Sequence, residues 1–210
     1  MMTLRNTMME LSKTDFKGLV VISGTRKLFE KMYDVHAPLV RFFEPIELKN
    51  LTPNEARLAI VKPLKNRIKI DENVVEKIIG ISDGQPYYLQ EVCYNVFEAS
   101  DKKRITLDDF DMGFDKAFSD IVKLMFERRV AKLSQNELRV LALFESKKFY
   151  RYSDIMALAQ ESHINKSTAS TALSRLKNKD IVHQITMGPK KDSYVVEDVL
   201  LLRYVKKNTR

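Results

Sequence analysis

Asn165–Val196 runs NKSTASTALSRLKNKDIVHQITMGPKKDSYVV, and two periodicities follow one another along it. Asn165 is a helix-capping residue type, and behind it Ala169, Ala172, Leu173 and Leu176 recur at spacings of three and four, the pattern of a helix with one buried side. Beyond Asp180 the pattern becomes extended. Ile181–Thr186 and Tyr194–Val196 read as two strands, joined by Met187, Gly188, Pro189, Lys190, Lys191 and Asp192. A capped helix followed by a lysine-tipped hairpin is the expectation for this stretch.

Upstream, Ser134, Gln135, Asn136 and Glu137 form a capping box that leads into Leu138, Leu141, Ala142 and Phe144. Ser153 reads as the cap of a short helix containing Ile155, Met156 and Leu158. Three helices and then a basic-tipped hairpin is the order of a winged helix-turn-helix. In that arrangement the third helix enters the major groove with its polar side outward. The outward set here is Lys166, Ser167, Ser170, Thr171, Ser174 and Lys177, with Lys190 and Lys191 at the hairpin tip able to reach the neighbouring phosphates. Hydroxyls contact phosphates or groove edges, and lysines supply attraction that is independent of sequence and weakened by salt. Arg175 is the one arginine between Lys166 and Lys177, and no Asn or Gln stands there, so strong base specificity is not expected. Two alternatives stay open. The module can pack on protein, either its own helices or another subunit, or it can be a stand-alone transcription regulator.

The charge supports the DNA reading. The chain has 210 residues with 36 Lys and Arg against 28 Asp and Glu, a net +8. Residues 128–210 carry 17 against 8, or +9, whereas residues 1–127 carry 19 against 20, or −1. All of the excess lies in the last segment, which marks that segment as the one facing an anionic partner.

Residues 51–127 read as four helices with short connections. Thr52, Pro53, Asn54 and Glu55 make a capping box with Pro at the first helical position. Asp71 starts a helix carrying Val74, Val75, Ile78 and Ile79, closed by Gly80; Tyr88, Val92, Cys93 and Phe97 mark the next, after Gly84 and Pro86. Thr106 opens the fourth through Asp108 and Asp109, acids suited to a positive helix start. Nearer the N-terminus, Met1–Glu10 reads as the tail of a helix. Leu19–Ile22 reads as a strand buried on both faces, and Phe43–Leu48 as a second strand. The expected fold is mainly α (α+β): a β-stub over residues 1–48, a helical domain over 49–127 and a winged helix-turn-helix over 128–210.

The run Val20, Val21, Ile22, Ser23, Gly24, Thr25, Arg26, Lys27, Leu28 resembles the sensor-1 strand and turn of the STAND branch of AAA+-related ATPases, close to archaeal ATPases and origin-recognition proteins. Phe43–Leu51 resembles that family's next core strand and the start of its lid. Asp83, Gly84, Gln85 and Pro86 resemble the lid motif Gly-x-Pro. The resemblance implies that Thr25 or Arg26 polls a terminal phosphate, that Gly84–Pro86 lies against adenine, and that Arg41 stands where relatives carry an arginine finger. The bland alternatives are a turn at Gly24, solvated charges at Arg26 and Arg41, and a helix-starting proline at Pro86. No Gly-x-x-x-x-Gly-Lys-Ser/Thr occurs and no apolar run ends in a Walker B acid pair. The expectation is therefore a non-catalytic carboxyl portion of such an ATPase, arising from a truncated gene, a split gene or an expressed fragment. It holds no cofactor of its own, ATP and magnesium being implied for the complete protein, and its missing core is a possible partner.

Other chemistry is excluded on composition and spacing. One Cys rules out a disulfide scaffold and a cysteine-built zinc site, and His36, His163 and His183 lack ligand spacing. Cys93 reads as an inert core thiol. Val140–Phe144, an apolar run as long as any in the chain, is far short of the roughly 20 residues of a spanning helix, and a cytoplasmic location is expected.

Overall fold

The computed structural model describes residues 2–11, 13–14, 17–18, 21–24, 43–44, 46, 48–64, 67–185 and 189–209. The chain divides into two units, Met1–Lys49 and Asn50–Arg210. Apart from Lys49, the lid and winged-helix segments expected from the sequence both fall inside the second.

The first unit opens with α1 (Met2–Leu11), after which the Thr14 hydroxyl donates to Leu11 O at 2.7 Å. Neither expected strand forms at its described positions. Val21, Ile22, Ser23 and Gly24 are irregular, and Val21 is 80% exposed; Ile46 and Leu48 are likewise irregular and exposed. A strand apolar on both faces needs covering layers on each side. The described residues of this unit supply none.

The second unit is mainly helical with two small sheets, around one continuous hydrophobic core that runs from Ala56 and Ile60 to Leu200 and Val205. Its first helix, α2 (Pro53–Leu64), starts on the expected capping box: Thr52 N–H donates to Glu55 Oε2 at 2.8 Å, and Glu55 N–H donates to Thr52 Oγ1 at 3.3 Å. Strands β1 (Lys69–Ile70) and β2 (Arg104–Ile105) pair in parallel and bracket α3 (Glu72–Ser82) and α4 (Pro86–Ala99). Gly80 does not close α3. The helix runs on to Ser82 and ends where Asp83 takes φ 53°, because the left-handed turn that terminates a helix forms there.

Helix α5 (Leu107–Ile121) is capped by Thr106 and Asp109 and lies close against α4. Gly113 makes this approach possible: a Cβ there would lie 2.5 Å from Val96 Cα. The helical path then continues through a π-turn (Val122–Phe126) into α6 (Glu127–Val130), so the expected boundary at residue 127 falls within one helical run. The π-turn turns Phe126 fully into the core, between the rings of Tyr88 and Tyr204 at 6.2 and 6.1 Å.

The remainder comprises α7 (Gln135–Ala142), β3 (Tyr150–Arg151), α8 (Tyr152–Glu161), α9 (Lys166–Asn178), β4 (His183–Gln184), β5 (Ser193–Val195) and α10 (Val199–Asn208). The three strands form an antiparallel sheet in the order β3-β5-β4. Ser153 is not the cap of α8. Arg151 occupies that position, and Asp154 accepts its N–H at 2.9 Å, a stronger acceptor than a hydroxyl because it is charged. Helix α10 was not expected from the sequence; Asp198 caps it by accepting Leu201 N–H at 2.9 Å.

Candidate nucleic-acid interface

Helix α9 begins where Asn165 Oδ1 accepts Ser167 N–H at 2.9 Å. Its apolar stripe, Ala169, Ala172, Leu173 and Leu176, is buried against α7 and α8. That packing turns the opposite side outward: Lys166, Ser167, Thr171, Ser174 and Lys177 are exposed, and Ser170 is half-buried. Two of the hydroxyls already donate internally, Ser167 to Asn165 Oδ1 at 3.0 Å and Thr171 to Ser167 O at 2.9 Å. Toward an external ligand these two serve as acceptors. Lys177 Nζ donates to Gln184 Oε1 at 3.1 Å and so ties the end of α9 to β4.

The hairpin closes where Ile185 N–H donates to Ser193 O at 2.9 Å and Asp192 N–H, at φ 61°, donates to Ile185 O at 2.8 Å. Lys190 and Lys191 are both exposed at its tip. Lys190 Nζ lies 4.9 Å from the centre of the Phe149 ring, a cation–π contact that links the tip to the residue before β3.

Much of the basic excess is committed to structure. Lys179 Nζ reaches Glu137 Oε1 at 2.7 Å and Lys132 O at 2.8 Å, fastening the end of α9 to the start of α7. Burial alone would raise the Glu137 carboxyl, which is 2% exposed, but the Lys179 ammonium and the Ser134 N–H and hydroxyl hold it below its ordinary value. Arg139 donates to Ser162 O at 3.0 Å, and Arg203 lies over the Phe114 ring at 4.7 Å. Among the described residues, Lys166, Arg175 and Lys191 have no ion pair, and these stay available to an anion.

Thr25, Arg26 and Arg41 lie outside the described residues. Gly84 and Pro86 are described. Gly84 has φ 67°, and its backbone meets Leu51: Leu51 N–H donates to Gly84 O at 2.7 Å, and a Cβ on Gly84 would stand 2.0 Å from Leu51 O. Pro86 is exposed at the first turn of α4. Beside this turn is a cleft of about 220 Å³ lined by Asn50, Gln85, Tyr88, Arg129, His183 and Asp198. Within it Tyr88 OH donates to Asp198 Oδ2 at 3.1 Å, Arg129 donates to Asp180 O at 2.7 Å, and Lys147 pairs with Asp83. Burial, and then Asp198, hold the Tyr88 phenol well above its usual range. Tyr88, Arg129 and Asp198 are tied up in these bonds and brace the turn, whereas Gln85 Oε1 is buried without a partner.

Cations and aromatic rings interleave along Lys147, Lys148, Phe149, Tyr150, Arg151 and Tyr152, a stretch outside the expected helices and hairpin. In the structure Tyr150 is buried, while Phe149, Arg151 and Tyr152 are exposed.

No protein-family model, curated protein or solved structure matches the chain. Among the described residues no helix is long and apolar enough to cross a membrane, and no group of three or more His, Cys, Asp or Glu could hold a metal ion.

Proposed function

We propose that residues 128–210 are a winged helix-turn-helix that contacts duplex DNA, with α9 as the groove helix and the β4–β5 hairpin as the wing. The observation that carries this reading is the two-sidedness of α9: an apolar stripe buried on α7 and α8, and a side of lysines and short hydroxyls open to solvent. The surface that packs on α3 and the π-turn is α10, which leaves the polar side of α9 uncovered by that contact. Lys166, Lys177, Lys190 and Lys191 neutralise phosphates, and the hydroxyls between them accept or donate at the backbone or groove edge. The contact is largely independent of sequence.

In this reading residues 49–127 are the helical lid of a STAND/AAA+-like ATPase, and the chain is its non-catalytic carboxyl portion. A change at the Gly84 turn in the complete protein would reposition the winged helix as a rigid body. The links Tyr88–Asp198 and Lys147–Asp83 support such a relay, because they join that turn and the start of α4 directly to residues 128–210. The chain by itself hydrolyses no ATP, since the sequence holds neither phosphate-binding loop nor Walker B pair.

Fluorescence anisotropy with a labelled DNA duplex across a salt series tests the DNA contact. About four neutralised phosphates give a slope of log K against log salt between about −3 and −4. Combining Lys166→Ala, Lys177→Ala and Lys190→Ala should reduce the slope by about 3 and weaken binding at every salt concentration. Undetectable binding at low salt, or binding unchanged by the triple substitution, refutes the reading.

A further inference from the structure

We infer that Phe149, Arg151 and Tyr152, together with Lys190, form a stacking platform for an unpaired nucleobase on a DNA strand that continues beyond the duplex. This rests on the DNA reading above and extends it to a second, single-stranded ligand.

Strand alternation places Phe149 and Arg151, and Tyr152 joins them as the exposed first residue of α8. Tyr150 points inward, 5% exposed, with its ring edge-on to Phe144 at 5.3 Å. Its strand neighbours therefore point to the other face of β3. Phe149 is 41% exposed and Tyr152 is 40% exposed, so two aromatic rings stand at the surface with exposed Arg151 between them in sequence. Arg151 is paired across the sheet with Ser193, a small residue whose hydroxyl donates to Lys190 O. No bulky side chain stands opposite Arg151 in the register. Lys190 Nζ over the Phe149 ring brings a fourth member from the hairpin tip.

An exposed ring beside cations is poorly matched to a phosphate backbone alone, because the ring face offers no hydrogen bond. It is well matched to an unstacked base, which takes the place of the Lys190 ammonium on the ring face while Arg151 and the displaced Lys190 neutralise the flanking phosphates. A base inside a duplex already has both faces covered by its neighbours and cannot use the ring. The platform therefore favours a duplex with a single-stranded extension over a blunt one.

The test uses the full chain and three labelled probes in fluorescence anisotropy: a blunt duplex, the same duplex carrying an oligothymidine tail, and a longer blunt duplex with as many phosphates as the tailed one. The tailed probe should bind about 5- to 150-fold more tightly than the equally charged blunt probe, the factor expected from stacking one base. Phe149→Leu, which keeps apolar bulk but removes the ring, should abolish the preference and leave blunt-duplex affinity unchanged, while Phe149→Tyr should retain it. Tyr152→Leu should reduce it. Circular dichroism and melting of each variant report folding, and the Tyr variant keeps the result interpretable if the Leu variant unfolds. An equal affinity for the tailed and equally charged probes, or a preference that survives Phe149→Leu, overturns the platform. Binding of blunt duplex without tail preference removes the platform alone; binding of the tailed probe but of neither blunt duplex upholds it and removes the duplex role of α9; binding of no probe removes both.

Discussion

Replacing Lys179 by Met probes the joint that holds the proposed DNA helix. Lys179 Nζ is 2.7 Å from Glu137 Oε1, and the carboxylate side chain is 2% exposed whereas the lysine side chain is 37% exposed. Fully buried pairs lose about 3–5 kcal/mol when one partner is removed, and exposed pairs about 0–1 kcal/mol. This pair lies between them. Glu137 keeps its bond from Ser134 N–H at 2.6 Å but loses its cation, and Lys132 O loses its donor. A loss of about 2 kcal/mol is expected, which for a domain of this size lowers the melting temperature by about 4–8 °C. Glu137→Gln should cost less, about 1 kcal/mol, because a neutral amide still accepts from Ser134 and the half-exposed ammonium reaches water. The pH dependence carries a sign. The Glu137 carboxyl is depressed in the folded protein, so its contribution is fully present above the unfolded carboxyl value and is lost as pH falls through the folded one. Lys179→Met removes a depressing partner, so the Glu137 carboxyl is held less far below its ordinary value. The difference between wild type and Lys179→Met should therefore shrink on acidification from pH near 7 to pH near 3. Urea denaturation of both proteins at each pH measures it. Equal stabilities at neutral pH, or a difference that does not change with pH, would refute the argument.

Three further outcomes follow from the geometry. Gly84→Ala should destabilise by at least about 2 kcal/mol in urea denaturation, since φ 67° disfavours any side chain and the new Cβ meets the Leu51 carbonyl oxygen, a backbone atom that cannot swing aside. Tyr88→Phe should cost about 1 kcal/mol in the same assay, because Asp198 loses one donor but keeps Leu201 N–H and the nearby Arg129. The Cys93 thiol, pushed up to about 12 by burial, should resist a thiol reagent at pH near 8 in the native protein and react promptly once denaturant unfolds it; rapid native labelling would contradict its placement on the core side of α4.

The features legible in the sequence are those whose partners stand within one helical turn. The Thr52–Glu55 and Ser134–Glu137 brackets form because a hydroxyl or carboxylate three residues away is the nearest group for an unpaired N–H, and Asp109, read as an acid at a helix start, makes the same bracket with Thr106. The two sides of α9 were likewise readable, since its period of 3.6 puts Ala169, Ala172, Leu173 and Leu176 on one side whatever they pack against. Local reading failed where two local preferences compete. Gly80 can end a helix but sits inside one, because the turn forms at Asp83 and Gly84 against Leu51. Val21 has strand character but is exposed, because strand character is realised through neighbours on a sheet.

The joints that give the candidate interface its setting have no local signature at all. Glu137 and Lys179 are 42 residues apart, Asp83 and Lys147 are 64 apart, and Tyr88 and Asp198 are 110 apart. Each is an ordinary polar residue in its own neighbourhood. The same holds for the Lys190 ammonium, which the fold brings over the Phe149 ring. Short-range chemistry is enough to say that α9 has a polar side and that the last 83 residues carry the positive charge. Which of those charges remain open to a ligand depends on chain closures that bring distant groups together, and their energy exists only after the core has formed.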